Sequence, residues 1–124
     1  MKDFSQSLGK LWAILKENKM NMNEYQRRAS LTAVYPKEKA FEYLATGLVA
    51  EAGEVSSIVS KWIRGDRGTI PNLKMQKELG DVLWFVSEMS KMIGTNLSMV
   101  AEVNLKKLED RQKRHVLKGD GDDR

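Results

Sequence analysis

The sequence predicts an all-α protein, a bundle of four to five helices. Only two prolines interrupt the 124 residues, and no stretch alternates β-branched with polar residues as a strand with one buried face would. Apolar residues instead recur at spacings of three and four, which is the period of a helix with one buried face. A chain of this length fits a single domain that can bury a core of its own.

Composition excludes several kinds of chemistry. There is no cysteine, which removes disulfides, thiol nucleophiles and Cys-based zinc sites, and the single histidine, His115, rules out a His-rich metal site or a Ser-His-Asp triad. The 21 basic residues exceed the 17 acidic ones only slightly and are spread along the chain, so they are weak support for nucleic-acid binding. The longest strongly apolar run, 82–86, is too short to span a bilayer. We therefore expect a soluble, cytosolic protein without a membrane partner.

The first predicted helix covers residues 4–18 and forms an N-terminal extension over 1–20. Its apolar stripe consists of Phe4, Leu8, Leu11, Trp12 and Leu15. Such a stripe is typical of simple packing, and an oligomer contact or a lid over a site is the alternative. The main helical domain is predicted over 21–115, followed by a polar flexible tail over 116–124 that has no core residues.

Four more helices are predicted in the main domain. Asn23 is the expected N-cap of the first, which ends before Pro36 because the residue before a proline avoids helical geometry. The next two form an antiparallel hairpin around the Gly-rich loop 65–71, and the last follows Asn96 or Ser98. The two hairpin helices are predicted over 37–64 and 72–94, the second with Asn72 as a possible cap, and the last helix is predicted over about 96–114.

Two pairs of acids lie at the centre of the hairpin. Glu51 and Glu54 are three residues apart, as are Glu78 and Asp81, so each pair projects from one helix face. Glu51 and Glu78 also occupy positions of the apolar stripes, such as the one that includes Phe41, Leu44, Ile58 and Trp62. Because several clustered carboxylates cannot all stay ionised away from water without cations, a positive partner is expected between the helices.

Each acidic pair contains a glycine, Gly53 or Gly80. A glycine inside a helix costs about 1 kcal/mol relative to alanine. We expect a close approach of another backbone beside the acids to explain this cost.

Polar residues on other helix faces are candidate substrate contacts. Helical spacing places Asn104, Lys107 and Arg111 on one side of the last helix, and Lys61 shares a face with Glu54. The two cations are most simply exposed charges, whereas an asparagine on an apolar stripe needs a partner. Lys61 is either a salt-bridge partner or a phosphate contact.

From about residue 23 to its end the chain resembles the MazG-like nucleoside triphosphate pyrophosphohydrolases, an all-α superfamily of NTP pyrophosphatases. The family signature is Glu-Glu-x-x-Glu, a gap, and Glu-x-x-Asp, and this sequence supplies all but the first glutamate, where it has Ala50. Residues 1–20 lie outside the resemblance. The matching stretches are Tyr25-Gln26, Tyr35-Pro36, Gly47-Leu48-Val49, 51–55, 78–84, Asn104, Lys107-Leu108 and Arg111.

The resemblance implies an enzyme that hydrolyses an NTP or dNTP to the monophosphate and pyrophosphate. Glu51, Glu54, Glu78 and Asp81 would bind Mg²⁺, with Mn²⁺ as the alternative cofactor, and a metal-bound water would attack the triphosphate. Glu51 is the candidate acceptor of the water's proton. Lys61, Lys107 and Arg111 would hold phosphate oxygens, and Asn104 would hydrogen-bond phosphate or sugar. In this family association of subunits completes the bundle, so a homodimer or homotetramer is expected.

Two other functions remain open from the sequence. A helical nucleic-acid-binding or regulatory protein would use the basic residues of 106–118 and would bind in a salt-dependent way without metal. A degenerate family member would bind nucleotide as a sensor without turnover.

Overall fold

The computed structural model describes residues 20–124, together with residues 6, 9, 10 and 13. The apolar stripe of the helix predicted over 4–18 lies outside the described residues, as does most of that helix, and the division into three segments stays a prediction. Within 20–124 the chain is helical and contains no strand, which confirms the all-α prediction. The helices are α1 (Met22–Ser30), α2 (Ala40–Ile63), α3 (Asn72–Met92) and α4 (Leu97–Lys113), with one 3₁₀ turn at Lys37–Lys39.

The N-cap of helix α1 lies two residues earlier than predicted. The side chain of Asn21, not Asn23, accepts a hydrogen bond from the Glu24 N–H, with the two atoms 2.9 Å apart. Asn23 instead accepts from the Ser98 N–H at 3.2 Å. The prediction of Asn23 as the cap was wrong. Either asparagine suits a cap by residue type, but the side chain of Asn23 is used for the contact with α4.

Helices α2 and α3 pack along each other as the predicted hairpin, and their contact is the most extensive between any two helices of the described residues. Pro36 precedes the 3₁₀ turn, so α2 proper starts three residues after the predicted position 37. Asn72 does not cap α3, because it is the first helical residue and Pro71 occupies the cap position without a side-chain hydrogen bond. Asn96 caps α4 as predicted, accepting from the Met99 N–H at 2.9 Å.

The last three helices end in the same way. After α2, the N–H of Gly65 bonds to the Trp62 carbonyl and the next N–H reaches Lys61, the paired bonds of a Schellman cap. Gly94 plays this role after α3, and His115 plays it after α4. These three residues have φ values of 89°, 80° and 57°, so His115 adopts a left-handed conformation that favours glycine.

All four helices contribute buried side chains to the core. Its buried apolar side chains are Ala29, Leu44, Ile58, Phe85 and Leu97. Gln26 joins three helices, because its amide group donates to the Ser87 carbonyl at 2.9 Å and accepts from the Leu97 N–H at 3.2 Å. The apolar stripe of α2 is only partly buried, since Phe41 is 63% and Trp62 43% exposed. None of the helices in the described part is both long enough and apolar enough to cross a membrane.

The close backbone approach expected at Gly53 and Gly80 is absent among the described residues. A Cβ placed on either residue would contact nothing within 4 Å. The close approach occurs at Gly47 instead, where a Cβ would lie 2.1 Å from Cε1 of Phe85. Gly47 therefore lets the Phe85 ring lie directly against the backbone of α2.

Candidate active site

Three of the four predicted acids form one cluster. Glu51 projects from α2, and Glu78 and Asp81 project from α3, and each offers a carboxylate oxygen within 4.8 Å of the other two. Glu51 and Glu78 are half-buried and Asp81 is exposed, so the cluster lies at the edge of the hairpin seam rather than in the core. The level arrangement of the two acidic pairs follows from the hairpin, because each pair lies a similar number of helical turns from the loop.

The electrostatics of the cluster favour a bound cation. Partial burial, followed by the charges of Asp81, Glu78 and Glu54, raises the pKa of the Glu51 carboxyl above its ordinary value of 4.5. None of the ion pairs formed between residues 20 and 124 involves a member of the cluster. Carboxylate oxygens are the ligands that Mg²⁺ prefers. The residues present therefore fit a hard divalent ion.

Glu54 stands apart from the other three. It is exposed on α2 and is not among the oxygens within ligand distance of one another. Its charge still contributes to the raised pKa of Glu51, so it lies close to the cluster. The prediction of four acids around one site stays open for Glu54, whereas the other three share one place.

A groove of about 590 Å³ begins at the cluster. Its walls include the aromatic rings of Tyr43 and Phe85 and the small residues Gly47 and Ala50. Ala50 stands where the full family signature has a glutamate, so the groove carries no charge at this position. The complete lining is Pro36, Lys39, Glu42, Tyr43, Thr46, Gly47, Ala50, Glu51 and Phe85.

The sequence reasoning missed this groove. Its signal was available, because Tyr43, Gly47 and Glu51 follow one another at spacings of four on α2 and so share a face with the cluster. Tyr35 supports the wall from behind, stacking on Tyr43 with ring centroids 5.2 Å apart. The Tyr43 ring in turn packs at 5.9 Å from Phe85.

A buried acid holds Tyr35 in place. Glu88 is 1% exposed and accepts hydrogen bonds from the Ser30 hydroxyl at 2.5 Å and the Tyr35 hydroxyl at 2.8 Å. Burial and the hydrogen bond to Glu88 raise the pKa of the Tyr35 phenol to about 12. The carboxylate thus ties Tyr35, the neighbour of the groove residue Pro36, to α3.

None of the predicted basic and amide contacts forms an ion pair or side-chain hydrogen bond with the acidic cluster in the described residues. The side chains of Lys61 and Asn104 are exposed and form no hydrogen bond within the described part of the chain. Lys107 and Arg111 bond to the Asp122 carboxylate in the C-terminal tail. Helix α4, which carries three of the four, packs on α1 and α3 but not on α2. Their roles in substrate binding stay predictions.

Comparison with known proteins agrees with the resemblance seen in the sequence. The family model described as the MazG nucleotide pyrophosphohydrolase domain matches residues 39–116, the stretch that carries the acidic cluster and α4. The chain is also similar to the Gene 37 protein of Mycobacterium phage L5, with 39% identity over 114 residues, which covers 85% of this chain and 100% of that protein. No solved structure gives a significant match. Because the family match spans more than half of the chain, the protein belongs to the MazG nucleotide pyrophosphohydrolase family.

Proposed function

We propose that the protein hydrolyses a nucleoside triphosphate, ribose or deoxyribose, to the monophosphate and pyrophosphate in a reaction that requires Mg²⁺. The observation that carries the proposal is the cluster of Glu51, Glu78 and Asp81, whose oxygens lie within 4.8 Å of one another and which no cationic side chain of residues 20–124 pairs with. Such a cluster suits a polyanionic substrate only when a divalent cation lies between them.

Glu51, Glu78 and Asp81 would hold Mg²⁺ or Mn²⁺, and Glu54 is close enough to join them through a rotamer change or a water. When bound, the ion would neutralise charge on the triphosphate and make a coordinated water more acidic. The roles of the protein's own residues follow from their positions around this site.

Glu51 is the best placed proton acceptor. Its carboxyl belongs to the cluster and also lines the groove, and in the metal-free protein burial and the neighbouring acids raise its pKa above that of an ordinary carboxyl. Water would add to a phosphorus of the α–β anhydride bridge as its proton moves to Glu51. The P–O bond of the bridge then breaks, and the group on its other side leaves with the electron pair: pyrophosphate after attack at the α phosphorus, or the nucleoside monophosphate after attack at the β phosphorus.

The groove beside Glu51 would take the nucleoside. Tyr43 and Phe85 offer apolar ring surface for a sugar or base, and Ala50 keeps that wall uncharged. The open end of the groove, with Lys39 and Glu42, would face the outer edge of the nucleoside.

Lys61, Lys107 and Arg111 remain candidate phosphate contacts, and Asn104 a candidate contact to phosphate or sugar. None of the four pairs with the cluster within residues 20–124, and α4 does not pack on α2, so a second copy is the simplest way to bring such side chains to the Glu51 side of the cluster. We propose a homodimer or homotetramer on this ground. Large exposed apolar side chains on α2 and α4 support it, among them Val49 at 73%, Ile63 at 74% and Val103 at 61% exposure.

The test is a panel of all NTPs and dNTPs, each incubated with the protein in Mg²⁺ and in EDTA, with products separated by ion-exchange chromatography. We expect monophosphate and pyrophosphate in equal amounts from at least one nucleotide, only with Mg²⁺. Glu51→Gln and Glu78→Gln should each lower the rate at least 100-fold. Glu102→Gln, an exposed acid on α4, is the matched control.

Each alternative function predicts a different result. Nucleotide binding without any monophosphate would indicate a sensor. Absence of nucleotide binding, together with DNA or RNA binding that weakens as salt rises, would indicate the nucleic-acid-binding protein. Unchanged turnover in Glu51→Gln would refute the assignment of the cluster.

A further inference from the structure

The C-terminal tail of the chain folds back on α4 and binds two of its cations. Oδ1 of Asp122 lies 3.1 Å from Nζ of Lys107 and 3.1 Å from Nη2 of Arg111. The same guanidinium nitrogen donates to the carbonyls of Gly121 at 3.1 Å and Asp122 at 3.0 Å. The tail therefore places its own carboxylate on a pair of cations.

Arg111 is a built position rather than a surface charge. It is 5% exposed, and its Nε is buried with no hydrogen-bond partner among residues 20–124. All three acceptors from the tail use Nη2 alone. An oxyanion bound in the usual two-point manner takes both Nε and Nη2 of an arginine. The tail thus leaves unused a donor that a phosphate could fill.

Asp122 is the exposed partner in this arrangement. Its side chain is 82% exposed, and hydrogen bonds from Lys107 and then Arg111 lower the pKa of its carboxyl below 3.8. It is therefore ionised at neutral pH and carries one negative charge. Because water surrounds this carboxylate, its pairing with the two cations is screened and contributes only a modest free energy, so an anion of higher charge can compete with it.

We propose that Lys107 and Arg111 form a phosphate-binding site that the chain's own Asp122 occupies, so that the tail and a polyphosphate compete for it. The proposal rests on the proposed function for the assignment of these two cations to phosphate. A polyphosphate chain would displace the carboxylate, bond to both Nε and Nη2 of Arg111, and free residues 120–124 from α4. The tail would thus act as an autoinhibitory strap. A ligand too short to displace Asp122 would bind more weakly, because the tail would still occupy Lys107 and Arg111.

The experiment compares Asp122→Asn with Asp123→Asn. The neighbouring Asp123 is exposed and forms no ion pair in the described part of the chain, so its replacement removes the same charge from the tail without touching the two cations. Binding of inorganic tripolyphosphate is measured by calorimetry in Mg²⁺-free, low-salt buffer. Amide NMR shifts of residues 120–124 are followed in the same titration.

We expect Asp122→Asn to bind tripolyphosphate about threefold to tenfold more tightly than the wild type, and Asp123→Asn to change the affinity less than twofold. In the wild type, the ligand should move the amide shifts of 120–124 to the values seen in the free Asp122→Asn variant. Lys107→Met should weaken binding in both backgrounds, because it removes a cation that the ligand and the tail share.

The proposal is overturned if Asp122→Asn binds no more tightly than Asp123→Asn, or if tripolyphosphate binds none of these proteins. Its failure is separable from failure of the proposed function. Tail release by tripolyphosphate without production of any monophosphate would sink only the hydrolase. Turnover of nucleotides with no effect of Asp122→Asn on affinity would sink only the strap.

Discussion

Replacing Glu51 by glutamine should make the metal-free protein more stable and the Mg²⁺-bound protein less stable than the wild type. The oxygens of Glu51, Glu78 and Asp81 lie no more than 4.8 Å apart. Two unit charges at that distance repel by about 0.9 kcal/mol in water, and by about 0.5 kcal/mol when screened at physiological salt. Glu51→Gln removes two such repulsions, so it should add about 1 kcal/mol and raise Tm by about 4 °C.

Mg²⁺ reverses this order. A ligand that binds only the folded protein adds RT ln(1 + [L]/Kd), which is about 2.7 kcal/mol at 100 times Kd. The wild type should overtake the variant once its gain exceeds about 1 kcal/mol, at roughly four times its own Kd. The variant should gain little, because it has lost one of three charged ligands.

The assay is thermal unfolding of both proteins in EDTA and across a MgCl₂ titration, with Glu102→Gln as the control. The two Tm curves should cross. A lower Tm for Glu51→Gln in EDTA would refute the claim that the cluster is repulsive without metal. A full Mg²⁺ response in the variant would refute Glu51 as a ligand.

The pH dependence of the same assay follows from the raised pKa of Glu51. The folded protein holds this proton to a higher pH than the unfolded chain does, where the ordinary value is 4.5. Metal-free stability should therefore fall as pH rises from 4.5 through the raised pKa. Because Mg²⁺ must displace the proton, its effect on Tm should grow over the same window.

Three further predictions concern the fold. In urea unfolding, Gly47→Ala should destabilise the protein by about 1–3 kcal/mol, because its Cβ would collide with Phe85. Gly53→Ala, which lies in open space, should instead stabilise the protein by up to about 1 kcal/mol. Changes of the same sign in both variants would contradict this prediction. His115→Gly should raise the free energy of unfolding by roughly 0.5–1 kcal/mol by relieving a positive φ, and no gain over His115→Ala would refute that strain. In an ultraviolet absorbance titration one phenol should ionise near pH 12 rather than 10, with stability lost between those values, and Tyr35→Phe should remove that step.

Some predictions failed where residue type alone could not choose between neighbours. Asn21 and Asn23 are equally good caps, and only the contact of Asn23 with Ser98 separates them. Gly53 and Gly80 were expected to meet another backbone, yet Gly47 is the glycine that Phe85 contacts. A glycine in a helical pattern indicates that something is unusual there, but the neighbour that requires it comes from a different helix.

The sequence by itself determined the helices, their hairpin and the acids that meet at its centre. These follow from local rules, because apolar spacing, Gly65 and Gly94 set the helix lengths, and acids three apart share a face. Only the tertiary structure decided that Glu54 stands apart, that Phe85 meets Tyr43 to wall a groove beside Glu51, and that Asp122 binds Arg111. Those depend on distances between residues far apart in the chain, and periodicity carries no information about such distances.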